Sequence, residues 1–187
     1  GTLQAGIANM IAGSNGLSFA NVAGANLDLL SFNQTAINLS GGGALGGNIN
    51  LGSATLAVTQ NMPGTYSGII SGTGNFTKAG SSTLTLSGVS TYSGTTTISA
   101  GTLRPTVDNV IANSSALVMA NTNGAIFNLN NTNQTVGSLS GAGTTGGDII
   151  LGSGNLTINQ AATLTYAGII SGTGGITTLD LVTLKNL

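Results

Sequence analysis

The stretch GNFTKAGSSTLTLSGVSTYSGTTTISAGTL, Gly74 to Leu103, decides the fold. Its short alternations, Thr83-Leu84-Thr85-Leu86 and Thr96-Thr97-Ile98-Ser99, place apolar and polar side chains on opposite sides of an extended backbone. That is the pattern of strands with one buried face, and the Gly and Ser clusters between them are turns. The rest of the chain is a looser version of this stretch.

Working outward, the sequence repeats. Sliding it on itself by 100 residues aligns the two halves without a gap, with roughly half of the positions identical. Gly1-Thr2-Leu3 falls on Gly101-Thr102-Leu103, Asn33-Gln34-Thr35 on Asn133-Gln134-Thr135, and Leu51-Gly52-Ser53 on Leu151-Gly152-Ser153. Gly68 to Gly74 matches Gly168 to Gly174 letter for letter. A shorter echo lies inside: Thr65-Tyr66-Ser67-Gly68 returns as Thr91-Tyr92-Ser93-Gly94 after 26 residues. The expected organisation is one continuous solenoid with a first unit at 1–100 and a second, truncated unit at 101–187. Each rung is expected to take about 25 residues, with four rungs to the long repeat. Since Gly1-Thr2-Leu3 resembles the tail of a preceding unit, the chain reads as a window on a longer array.

Composition supports this. Only three residues are basic (Lys78, Arg104, Lys185) and four acidic (Asp28, Asp108, Asp148, Asp180), against about a quarter charged in ordinary domains. Disorder requires low hydrophobicity with high net charge, and neither holds. A membrane helix requires about 20 consecutive apolar residues, and no such run exists. With no basic excess, nucleic-acid binding is not expected. In a parallel β-helix, equivalent side chains stack at about 4.8 Å, so like charges in a column repel while Asn, Ser and Thr columns hydrogen-bond. Proline is confined to Pro63 and Pro105, as strands with neighbours on both sides demand. A β-sandwich accommodates the short strands too. The short echo inside a gapless long repeat favours the solenoid.

The segments Ser81 to Gly88, Thr91 to Ile98 and Ala100 to Leu103 resemble the passenger-associated repeat of bacterial autotransporters, the type V secretion proteins. The resemblance implies a right-handed parallel β-helix exported to the surface of a Gram-negative cell, or released from it. The second copy keeps the pattern only loosely over Thr177 to Leu184, and nothing matches the family's C-terminal barrel, so membrane insertion by this stretch itself is not expected.

For chemistry the chain offers little. Without His or Cys, the usual nucleophile–base pairs and zinc sites are not available. The Asp residues do not recur between copies: Asp28 aligns with Asn128, Asp108 with Ala8, Asp148 with Asn48, Asp180 with Gly80. No catalytic, cofactor-binding or metal-binding residue is therefore expected, and no cofactor. The Asp side chains are expected at corners, accepting turn hydrogen bonds. Gly41 to Gly47 lacks the Gly-Lys-Ser/Thr of a phosphate loop and reads as a corner. The sequons at Asn33, Asn38, Asn75, Asn133 and Asn155 arise from composition. Ice binding would require flat, regular ranks of Thr, and the Thr95-Thr96-Thr97 run is not expected to supply them.

The function expected is a non-catalytic stalk or fibre segment serving adhesion, aggregation or display. Its expected partners are neighbouring repeats of the same chain or identical copies stacked end to end, with any host-surface or carbohydrate receptor unknown. The alternative is a carbohydrate-binding or carbohydrate-cleaving β-helix whose site lies outside this stretch.

Overall fold

The computed structural model describes residues 1–113, 115–160, 165–178 and 183–184. Among them there is no helix; the chain is a parallel β-solenoid of about eight turns. Each turn visits three faces in a fixed order. Face one starts with Thr2–Gln4, Asn26–Asp28, Asn48–Asn50 and Ile70–Ser71. It passes through Ser90 and Val110 without strand pairing and resumes as Gln134–Val136, Leu156–Ile158 and Ile176–Thr178. Face two is an eight-stranded sheet from Gln34–Ile37 to Thr183–Leu184, and face three is another from Leu17–Phe19 to Ile170–Gly172. Every strand pairing is parallel.

The alternation read from sequence is what builds the bore. Leu27, Ile49 and Ile70 stack on face one. Leu84, Leu103, Phe127, Ile149 and Ile170 stack on face three. All belong to one hydrophobic cluster running through the solenoid, and each fully buried aliphatic side chain contributes about 1.5–3 kcal/mol. Between them Thr85, Thr77 and Thr97 point outward, which is why these strands alternate.

The registers set the pitch. On face two, Gln34 pairs with Leu56, Leu56 with Phe76, Phe76 with Thr96, Thr96 with Leu117 and Leu117 with Leu139, steps of 22, 20, 20, 21 and 22 residues. The longest steps, Gly41 to Tyr66 and Gly141 to Tyr166, are 25. From Leu3 the chain regains face one at Leu27, Ile49, Ile70 and Ser90, which makes four turns. It then crosses face two at Thr96–Ile98 and meets face three at Leu103. One hundred residues thus make four and two-thirds turns, about 21 residues each, where four turns were expected. The 26-residue echo from Tyr66 to Tyr92 is one and a third turns. The reason is physical: all three faces present the same apolar interior and the same tight corners, so a sequence unit satisfies any of them and the repeat need not close after whole turns. Equivalent residues of the two copies consequently face different directions.

Corners dictate the glycines. A Cβ on Gly74 would run into the carbonyl oxygen of Ala54, and one on Gly94 into that of Gly74. The patch from Gly41 to Gly47 is more than a corner: Gly43 and Gly46 form an antiparallel bridge, so a small hairpin with Leu45 at its exposed tip projects between faces three and one. Gly143 and Gly146 do the same in the second copy.

Candidate interaction surface

Three classes of polar side chain are built into the solenoid, and two of them are consumed by holding turns together. The first is buried. Gln34 is 1% exposed; its Oε1 accepts from Ile11 N (3.2 Å) and its Nε2 donates to the carbonyls of Ile7 (2.8 Å) and Phe32 (3.2 Å). Its counterpart Gln134 accepts from Val110 N (3.1 Å) and donates to Val107 O (2.9 Å). Gln60 accepts from Leu39 N (3.0 Å), and Gln160 from Leu139 N (3.3 Å). Each carboxamide thus serves backbone groups of the preceding turn that no strand ladder reaches, which buried polar groups require.

Lys78 is the outlier. It stands in an inward column between Val58 and Ile98 and is 0% exposed. Its Nζ donates to the carbonyls of Ala79, Gly80 and Ala100, each at 2.9 Å. Burial pushes the ammonium down to about 8. Beside it, Tyr92 Oη meets Thr96 Oγ1 (2.5 Å), Thr96 meets Ser115 Oγ (3.0 Å), and Ser115 donates to Gly94 O (2.5 Å). Desolvation pushes the Tyr92 phenol up to about 12, against the pull of the Thr96 and Ser115 hydrogen bonds.

The second class caps exposed corners. The sequon asparagines Asn33, Asn38, Asn75, Asn133 and Asn155 each spend Oδ1 on a backbone amide about one turn on. Asn33 accepts from Thr55 N (2.8 Å), Asn38 from Asn61 N (2.8 Å), Asn75 from Thr95 N (2.8 Å), Asn133 from Asn155 N (3.0 Å) and Asn155 from Gly175 N (2.8 Å). The carboxylates also accept backbone hydrogen bonds, but only Asp108 lies in a turn, whereas Asp28 and Asp148 stand at strand ends where corners were expected. Asp28 accepts from Leu30 N (3.1 Å) and Asn50 Nδ2 (3.3 Å), Asp108 from Asn133 N (2.8 Å), and Asp148 from Ile169 N (3.2 Å). These three lie on separate parts of the surface, and Asp180 and Lys185 fall outside the described residues. Arg104 donates to Asn130 Oδ1 (2.9 Å).

The third class is left over. On face one, Thr2, Asn26, Asp28, Asn48, Asn50 and Ser71 line a cleft of about 250 Å³. Asn26 and Asn48 are register partners, as are Asp28 and Asn50. Sequence reasoning missed this cleft and the buried lysine. The buried glutamines were legible only as letters repeated at 34 and 134, 60 and 160.

Residues 76–104 match the model of the passenger-associated-transport-repeat. The chain carries an autotransporter passenger repeat. The matched segment spans about one and a third turns of the solenoid and holds Lys78, Tyr92, Thr96 and the corner residues Gly80, Gly88, Gly94 and Gly101. An adhesin, the BmaC autotransporter of Brucella suis biovar 1 (strain 1330), is 51% identical over 106 residues. That alignment covers 55% of this chain and 3% of the length of the adhesin. No solved structure matches.

Proposed function

We propose that this passenger segment is a non-catalytic stalk of an autotransporter adhesin, displayed on the outer surface of a Gram-negative cell, that gives mechanical reach and a repeated polar surface. The observation that carries the reading is the unbroken parallel stacking of faces two and three. Eight strands on each, about 4.8 Å apart, make a rod segment about 34 Å long. The likeness to an adhesin supports the surface role. The near absence of charge suits a stack in which outward side chains have neighbours about 4.8 Å above and below them. The catalytic reading has no support in the site chemistry, since each described carboxylate accepts a backbone N–H and no two of them share a site.

Continuation of the stack belongs to the same proposal. Leu3 is 54% exposed while its counterpart Leu103 is buried, covered by Leu84 of the preceding rung. A further rung of the same chain, or an identical copy, supplies that cover. Electron microscopy of the native material, averaged along the particle axis, tests the proposal. Rods with an axial repeat near 4.8 Å and a longer one near 22 Å, from four and two-thirds turns, are expected. Compact particles lacking the short repeat would overturn it.

A further inference from the structure

We propose that the face-one cleft of the first copy is a binding site for a neutral, hydroxyl-rich saccharide. This goes beyond the stalk reading, which does not need the cleft. The argument starts from what the cleft's side chains have left to give. Asn26 makes no side-chain hydrogen bond among the described residues, so its carboxamide offers a donor and an acceptor side by side. Asn48 spends Oδ1 on Ile69 N (2.9 Å) and keeps Nδ2. Asp28 spends Oδ1 on Leu30 N and Asn50 Nδ2 and keeps Oδ2. The Thr2 hydroxyl is likewise uncommitted.

These groups form a grid fixed by the sheet, with neighbours about 4.8 Å apart across strands and about 7 Å apart along them. Adjacent donors and acceptors on a rigid grid match vicinal hydroxyl pairs, each of which both gives and takes a hydrogen bond.

Other occupants fit less well. The backbone of Asn26–Asp28 and Asn48–Asn50 is paired on both sides, so an extended peptide finds a strand edge only at Thr2–Gln4, at the rim of the cleft. The cleft contains no cation, and Asp28 repels anions. One carboxylate is too few for calcium, which takes six to eight oxygens. At about 250 Å³ the cleft lies below the size of a drug-sized site and suits one sugar unit of a longer chain.

The second copy supplies an internal control. There the equivalent positions lie on face three, and Ile126 and Ile150 replace Asn26 and Asn50. Asp148 stands in place of Asn48, so the same backbone grid keeps one amide, at Asn128, where the first copy has three.

The test is NMR titration of the chain with soluble gluco-, manno- and galacto-oligosaccharides, with a sulfated polysaccharide as comparator. A neutral oligosaccharide is expected to shift the Asn26 and Asn48 side-chain amides, with affinity of roughly millimolar order. Asn26→Ala with Asn48→Ala should weaken binding about tenfold or more. Unchanged signals elsewhere in the solenoid would show that this variant is folded. Asn26→Ser with Asn48→Ser, which retains a polar surface, serves if the alanine variant does not fold, and is expected to weaken binding in the same direction. No shift with any neutral sugar, binding only of the sulfated polysaccharide, or affinity unaffected by the substitutions would each overturn the proposal.

Discussion

The two copies of the long repeat share more of their inside than of their outside. Leu39 and Leu139, Leu56 and Leu156, Tyr66 and Tyr166 are identical and buried, and the two tyrosines donate to equivalent carbonyls, Gly47 and Gly147. Outside, Asn26 becomes Ile126, Asn50 becomes Ile150, and the hairpin tip Leu45 becomes Thr145. Because the copies are offset by two-thirds of a turn, equivalent outer residues also point in different directions. The interior tolerates this, since each face packs against the same bore. Stacking geometry therefore constrains what points in, while what points out is free to diverge.

The comparison breaks first at the corners. Gly74→Val and Gly174→Val should be the most damaging substitutions and equally so in both copies, because each Cβ would strike the carbonyl of the residue one turn before, Ala54 or Gly154. A loss of about 3–5 kcal/mol is expected from backbone displacement on that scale, read as a lowered guanidinium midpoint. Gly24→Ala is the matched control. Its Cβ meets only open space beyond Gly1 N at 3.7 Å, and only the positive φ of +78° is strained, at about 1 kcal/mol. If Gly74 and Gly24 respond alike, the corner argument is wrong.

Next come the buried carboxamides. Gln34→Leu and Gln134→Leu should each cost about 2–3 kcal/mol, because the amides of Ile11 and Val110 and the carbonyls of Ile7 and Val107 lose their partners. A difference between the two larger than about 1 kcal/mol would show that the copies are not equivalent inside.

Lys78 sharpens the comparison because its counterpart is Thr178. Burial lowers the Lys78 pKa from 10.5 to about 8, so between those values the unfolded chain holds a proton that the folded chain does not. Stability should therefore rise with pH across that window, by about 1–3 kcal/mol, and be flat below it. The three carbonyl acceptors oppose the trend by favouring the ammonium, which sets the gain toward the low end. Unfolding midpoints measured from pH 7 to 11 check this, and Lys78→Met should flatten the profile. A fall in stability through the window would mean that the carbonyls outweigh desolvation.

The fold was legible in the sequence because strand alternation, tight glycines and a gapless repeat are local patterns that survive without knowing which face a strand occupies. Turn length was less legible. Tyr66 and Tyr92 look like successive rungs, yet they occupy different faces, and only register pairing distinguishes a whole turn from one and a third. The cleft was not legible at all. Asn26 and Asn48 are ordinary letters in an asparagine-rich chain, and nothing local separates them from Asn33 or Asn75, whose side chains are spent on backbone amides one turn on. The distinction is whether an exposed carboxamide lies opposite a broken or an intact ladder, which is a property of stacking.

That distinction yields the smallest predicted effect. Asn33→Ala leaves the Thr55 amide without its acceptor, at a cost of about 1 kcal/mol, whereas Asn26→Ala removes a side chain that bonds nothing and should change stability by no more than about 0.5 kcal/mol. The reverse exchange, Ile126→Asn, should be equally neutral, because residue 126 is on the outer side of face three and its backbone ladder to Thr102 and Asp148 is complete. Paired guanidinium midpoints for the three variants separate the two kinds of asparagine. If Asn26→Ala costs as much as Asn33→Ala, the face-one carboxamide is structural after all, and the outer surface is less free than the divergence between copies implies.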